Sequence, residues 1–264
     1  MVLERLEPAL LASVERVATL VLDAPDLLVR VPRSEWTMLD VLRHLVTVTP
    51  RYARWPEGRQ VTAVGPQQLA ELNAADLREP DVDDVASLCA RLRDELGSVL
   101  TQIRGHGLGQ PTYAFHGGGR VRADSALRIV LGEYLIHGWD MAQALGHPWP
   151  WPIEPASAWM VLEALQPILP GWVDPSRAQG LTATFEIRVR GFGRRVWAFR
   201  RGRLEVDHAS VGNRDAVLSA DPVAFLLVAD RRESPWKHIA RGRLAAWGRR
   251  PWLALSLVDR FHTP

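Results

Sequence analysis

The chain is poor in several residue types that build functional sites. It has one cysteine, Cys89, in 264 residues. No intramolecular disulfide can form, and no cysteine-rich zinc site can be built. Lys237 is the single lysine, so the other 31 of 32 basic residues are arginine. No apolar run reaches the roughly 18 residues needed to cross a bilayer. The longest apolar stretches are interrupted by Glu, Asp or Arg within a helical turn. The segment Met1 to Pro8 is acidic where a secretory leader would be basic. A cytoplasmic protein with no membrane partner is expected from these absences.

What is present is ordinary for a globular chain: 47% hydrophobic and 23% charged residues. The length suits one large domain or two modest ones. Charge is uneven along it. Residues 1–184 hold 16 basic and 22 acidic side chains, whereas residues 185–264 hold 16 basic and 8 acidic. A basic C-terminal part can attract carboxylates or phosphates. Its arginines alternate with apolar residues and form no dense patch, so a nucleic-acid partner is not expected. Eleven tryptophans are available to line cores or pockets.

Periodicity predicts helices in the first 145 residues. Leu6, Leu10, Leu11, Val14, Val17, Leu20 and Val21 recur at three- and four-residue steps. Thr37-Met-Leu-Asp40 reads as a capping box, with Asp40 in place of Glu, opening a second helix that runs to about Trp55 with Pro50 as a kink or end. Val85, Leu88, Leu92, Leu96, Val99 and Ile103 mark a third helix after Asp83-Asp84. A glycine-rich loop spans Gly105 to Gly119, and a fourth helix runs from about Ser125 to Leu145. Four such helices make a four-helix bundle.

Four prolines between 147 and 156 mark a linker. Beyond it the period changes. Phe185, Ile187 and Val189 alternate with Glu186, Arg188 and Arg190, as in a half-buried strand. Further strands are expected over 196–199, 204–206, 216–219 and 243–247, with a helix starting at Asp221-Pro222 and a last helix over 251–261. The overall expectation is α+β, with a bundle over 1–150 and a smaller α+β domain over 151–264.

One constellation carries chemistry. Glu133 and His137 are four residues apart and share a helix face with Ala126, Val130, Met141 and Ala144. Two ionisable groups on an apolar stripe are costly unless something satisfies them. A divalent metal would do so, since zinc accepts imidazole nitrogen and carboxylate oxygen. His44, mid-helix among apolar residues, offers a third ligand from a facing helix. The plainer reading is a Glu–His hydrogen bond beside an isolated buried histidine. Asp140 is open between orienting an imidazole, acting as a fourth ligand and lying at the surface. Cys89 reads as packing. The loop His116-Gly-Gly-Gly119 has no accompanying Gly-x-Ser-x-Gly elbow, which excludes a lipase-type oxyanion site.

The segments Glu35-Trp-Thr-Met-Leu-Asp40-Val-Leu-Arg-His44-Leu and Gly132-Glu133-Tyr-Leu-Ile-His137-Gly-Trp-Asp140-Met-Ala resemble the second- and fourth-helix signatures of the mycothiol-dependent maleylpyruvate isomerase family, which has a DinB-like metal-binding bundle. Residues from about 155 to 264 resemble, in layout, the sterol carrier protein-like domain often fused to it. The resemblance implies a metal, zinc first among candidates, held by His44, Glu133 and His137, with mycothiol or another low-molecular-weight thiol at the open position. A thiolate adding to an activated cis double bond, followed by rotation and expulsion, would give the trans isomer; addition alone would give an S-conjugate. Either reaction takes a small unsaturated acid or related electrophile as substrate. Arg231 resembles a family arginine suited to a substrate carboxylate, with Arg232 as the neighbouring choice and solvated arginines as the plainer reading. The competing reading is a non-catalytic protein that binds an apolar, lipid-like ligand in the C-terminal domain.

Overall fold

The computed structural model describes residues 2–53, 63–78, 84–106, 112–146, 151–207 and 212–263. The chain divides into two units. Met1–Thr62, Gln68–Ala114 and Val121–Ile153 form the first; Ala63–Gln67, Phe115–Arg120 and Glu154–Pro264 form the second.

The first unit is built on four long helices: α1 (Val2–Asp23), α2 (Met38–Ala53), α4 (Val85–His106) and α5 (Ala123–Ala144), with a short α3 (Leu69–Asp76) before α4. A two-stranded ribbon, β1 (Thr112–Ala114) and β2 (Arg120–Arg122), precedes α5. Helix α1 packs on α5 and α4, and α2 packs on the same two. That arrangement closes a bundle with α1 opposite α2. The apolar stripes meet at its centre, where Leu6, Leu10, Val17, Leu42, Leu45, Leu88, Leu92, Leu96, Leu127 and Val130 are fully buried. Each such side chain contributes roughly 1.5–3 kcal/mol by leaving water. Leu11, expected on the stripe, is 46% exposed. It directly follows Leu10, and adjacent helical positions lie about 100° apart.

The second helix opens on a reciprocal cap. Asp40 N–H donates to Thr37 Oγ1 at 3.2 Å, and Thr37 N–H donates to Asp40 Oδ2 at 2.8 Å. Pro50 lies inside α2, which runs to Ala53; Trp55, the expected end, lies outside the described residues. Asp84 caps α4 by accepting from Ser87 N–H at 2.8 Å. Helix α5 is apolar on most of its surface, with fifteen buried residues, because it faces neighbours on several sides.

The second unit contains α6 (Pro155–Leu165), α7 (Leu169–Trp172), α8 (Pro175–Ala178), β3 (Ala183–Val189), β4 (Gly193–Arg200), β5 (Arg203–Asp207), β6 (Ala216–Ala220), α9 (Pro222–Ala229), α10 (Pro235–Ala240), β7 (Leu244–Trp247) and α11 (Trp252–Leu255). Its sheet has the order β5-β4-β3-β6-β7, with β3 and β6 parallel and the other neighbours antiparallel. Register pairs Phe185 with Trp197 and Ala183 with Phe199, so one face carries a continuous aromatic and aliphatic layer. Arg201 and Gly202 both have positive φ, at 51° and 83°, making the tight β4–β5 hairpin. Asp221 caps α9 by accepting from Ala224 N–H at 3.0 Å, with Pro222 in the first turn. Pro155 opens α6 rather than extending the linker.

Two readings are corrected. Glu186, expected on a wet strand face, is fully buried and ion-paired with Arg188 and Arg214, whose side chains lie over it. The glycine-rich 105–119 segment holds β1 and a 3₁₀ turn over His116–Gly118. That turn is a packing feature. Gly117 has φ of 82°, Trp172 Nε1 donates to the His116 carbonyl at 3.1 Å, and a Cβ on Gly171 would lie 1.6 Å from the Gly117 carbonyl oxygen.

Candidate metal centre

Helices α2 and α5 are neighbours in the bundle, and their facing sides bring three donor side chains together. Glu133 and His137 stand one turn apart on α5, and His44 projects from α2 toward them. One ligand atom from each lies within 4.8 Å of the others. Both imidazoles address the same oxygen. His44 Nε2 is 3.5 Å and His137 Nε2 is 3.3 Å from Glu133 Oε2. These separations are long for charge-assisted hydrogen bonds, which fall near 2.7–2.9 Å. They match the donor spacing of a tetrahedral ion, about 3.3–3.4 Å for bonds of ~2.0–2.1 Å.

Burial sets the charges. The His44 ring is 3% exposed, and desolvation holds its pKa below the ordinary histidine value despite Glu133. Burial also opposes charge on Glu133, but hydrogen bonds from the two imidazoles outweigh it and keep the carboxyl well below the usual range. At His137 burial again opposes charge. Hydrogen bonds to Asp140 and Glu133 prevail, lifting its pKa to about 9. Without a metal the group is therefore a neutral imidazole, a carboxylate and an imidazolium.

Several other residues of the α5 motif pack around the triad. Asp140 is buried, and its Oδ2 lies 3.5 Å from His137 Nδ1. A carboxylate behind a ligating imidazole fixes its tautomer and orientation. Tyr134, also buried, shares a 2.7 Å hydrogen bond with Thr49 of α2. Gly138 makes room for the Trp151 indole, since a Cβ there would lie 2.0 Å from the ring. Trp36, just before α2, packs its ring 4.9 Å from that of His44 and 6.2 Å from that of His137. Sequence reasoning noted Trp36 only as part of a motif.

A family model described as the mycothiol maleylpyruvate isomerase N-terminal domain matches residues 10–142, half of the chain. The chain belongs to that family. No curated protein matches this sequence. Among solved structures, the mycothiol-dependent maleylpyruvate isomerase superposes with a TM-score of 0.54 at 15% identity, covering 93% of this chain and 92% of its own. A histidine-to-alanine mutant of that enzyme gives the same score and coverage at 14% identity. At this identity the likeness is one of fold. A structure named UbiJ-SCP2 ubiquinone synthesis protein covers 42% of this chain at 19% identity, with a TM-score of 0.30 that carries no argument.

Within this maleylpyruvate isomerase-family chain, the remaining candidates lie in the second unit. Arg231 adopts a left-handed backbone, with φ of 56°, and its Nη2 donates to the carbonyls of Val258 at 3.2 Å and Phe261 at 3.1 Å. Arg232 Nη1 donates to the Asp230 carbonyl at 2.8 Å. Buried His238, read as ordinary from the sequence, has its Nε2 2.6 Å from Glu233 Oε2. Cys89 is buried in the first unit, and burial raises its thiol pKa. An apolar cavity bordered by Leu218, Phe225, Val228, Ile239, Leu244 and Leu257 has a volume of about 30 Å³. That is room for roughly two or three waters, whereas small-molecule pockets run to several hundred Å³. The cavity therefore gives no support to a lipid-like ligand. No helix among the described residues is long and apolar enough to cross a membrane.

Proposed function

We propose that this chain is a metal-dependent, thiol-assisted isomerase or thiol S-transferase acting on a small unsaturated acid or related electrophile. The observation that carries the reading is the convergence of His44, Glu133 and His137, with ligand atoms within 4.8 Å of one another and both imidazoles within 3.5 Å of one Glu133 oxygen. Membership of the family supports the thiol. The donor set of two imidazoles and a carboxylate fits zinc and leaves a coordination position open.

The residues would hold the metal as two nitrogens and one oxygen, with Asp140 keeping His137 in place. When bound, the metal would lower the pKa of a thiol, and the pair would supply a nucleophile that adds reversibly to an activated double bond. Glu133 offsets part of the cation's charge. The half-buried Trp36 ring beside the two imidazoles shields one side of the triad from water and strengthens the local electrostatics. Arg231 enters the proposal as the cation for a substrate carboxylate, a role suited to its planar fork.

Metal-reconstituted protein incubated with mycothiol or glutathione and a set of cis-enoyl acids tests the reading. Conversion that needs both metal and thiol is the expected result, with trans product marking an isomerase and an S-conjugate marking a transferase. Arg231→Ala is expected to raise KM for carboxylate substrates. Turnover that persists in the metal-free His44→Ala protein would overturn the proposal.

A further inference from the structure

The two imidazoles of the triad are held in different ways. His137 has the Asp140 carboxylate 3.5 Å behind its Nδ1. Both Nδ1 atoms are buried without a hydrogen bond, but among the described residues no carboxylate is paired with the Nδ1 of His44. A ligating histidine commonly gives its second ring nitrogen a partner, which fixes the ring's rotation. Rotation of the His44 ring must be opposed by something else.

Packing against a neighbouring ring opposes it instead. The Trp36 ring lies 4.9 Å from the His44 ring at an interplanar angle of 50°, and 6.2 Å from His137 at 31°. The two imidazoles themselves meet edge to face at 5.0 Å. The three rings thus form one aromatic cluster around the donor atoms. Trp36 is also held in advance. Its carbonyl accepts from Val31 N–H at 2.9 Å, and its N–H donates to Ser34 Oγ at 3.1 Å. Arg30 and Thr37 form an antiparallel bridge, and Thr37 at once begins the cap of α2. A turn built this way returns the indole against a side chain two turns further along the same helix.

We infer that Trp36 is the positioning residue for His44, doing by aromatic packing what Asp140 does for His137 by a carboxylate. This rests on the metal reading above. Without the indole the His44 ring can turn about its Cβ–Cγ bond, and Nε2 leaves the shared donor position. Loss of an orienting partner typically weakens metal affinity by about 10–100-fold.

The test uses the full chain, stripped of metal and titrated with Co²⁺ against a chromophoric chelator, with the Co²⁺ visible spectrum and far-UV circular dichroism recorded. Trp36→Ala is expected to weaken Co²⁺ binding by about 10–100-fold and to change the visible spectrum with helicity retained. Trp36→Phe, which keeps a flat ring, is expected to stay within a few-fold of wild type with the wild-type spectrum. If Trp36→Ala does not fold, Trp36→Leu replaces it, with at least about tenfold weaker binding expected. A purely structural role would lower stability and leave the affinity and spectrum of folded protein unchanged; that result overturns the inference and leaves the metal reading standing. Failure of the wild-type chain to take up Co²⁺ would remove both.

Discussion

At the residue scale, the account turns on how three donors are charged before a metal arrives. His137 holds a proton up to about pH 9, so a metal that binds its Nε2 must displace that proton. Affinity is expected to rise with pH by up to about tenfold per unit as far as pH 9, then to level off. In metal-free protein the sign reverses. A folded pKa above the ordinary 6.5 stabilises fully below that value and is lost as pH rises through about 9. Asp140→Asn removes one of the carboxylates that raise the pKa, so both midpoints should move to lower pH. Chelator competition and thermal melts between pH 6 and 10 check these shifts, and a metal affinity flat across that range contradicts the charge assignment. Part of this was legible in advance. The four-residue step between Glu133 and His137, and the placement of His44 on an apolar face, follow from helical geometry alone. Trp36 was not legible as a neighbour of His44, because it is backbone pairing of residues 27–31 with 36–39 that folds the preceding turn back onto the helix. Nor was the use of Arg231 Nη2 by two backbone carbonyls some thirty residues away.

At the element scale, the same short segments shape the helices and the site. The capping box at Thr37 and Asp40 sets where α2 starts, and so the phase in which His44 meets α5. Thr37→Ala is expected to cost about 1 kcal/mol, read as a lower denaturant midpoint with an unchanged slope. Gly138 is the stricter requirement. An added methyl would overlap the Trp151 ring, so Gly138→Ala should destabilise by roughly 1–3 kcal/mol. Helix-like stability in that variant would mean that Trp151 does not pack as described. The bundle helices α1, α2, α4 and α5 and the strands β3 to β7 lie close to their expected spans, but α6 was not expected and the helix expected over 251–261 is only α11 and a 3₁₀ turn at Val258–Arg260. Several short helices were not readable. Helices α3, α7 and α8 have at most eight residues, too few turns for a periodic stripe to show. Glu186 was misread because alternation says which way a side chain points but not whether Arg188 and Arg214 cover it.

At the scale of the whole molecule, an acidic first part and a basic second part correspond to different chemistry. The bundle unit carries the candidate donors His44, Glu133 and His137, whereas the sheet unit carries most of the arginine excess. Much of that arginine is committed within its own unit: Arg195 to Glu163, Arg249 and Arg250 to Asp215, Arg214 to Glu186. The absence of cysteine clusters already pointed away from a thiolate site and toward imidazole and carboxylate donors. Whether that donor set holds an ion is the central claim of the proposal, which makes metal content the quantity to measure. The most direct measurement is elemental mass spectrometry of the purified wild-type chain beside His44→Ala and His137→Ala. About one zinc-like ion per wild-type chain, lost in both variants while circular dichroism stays helical, is the result this account predicts. Equal metal content in all three proteins, or none in the wild type after reconstitution, would contradict it.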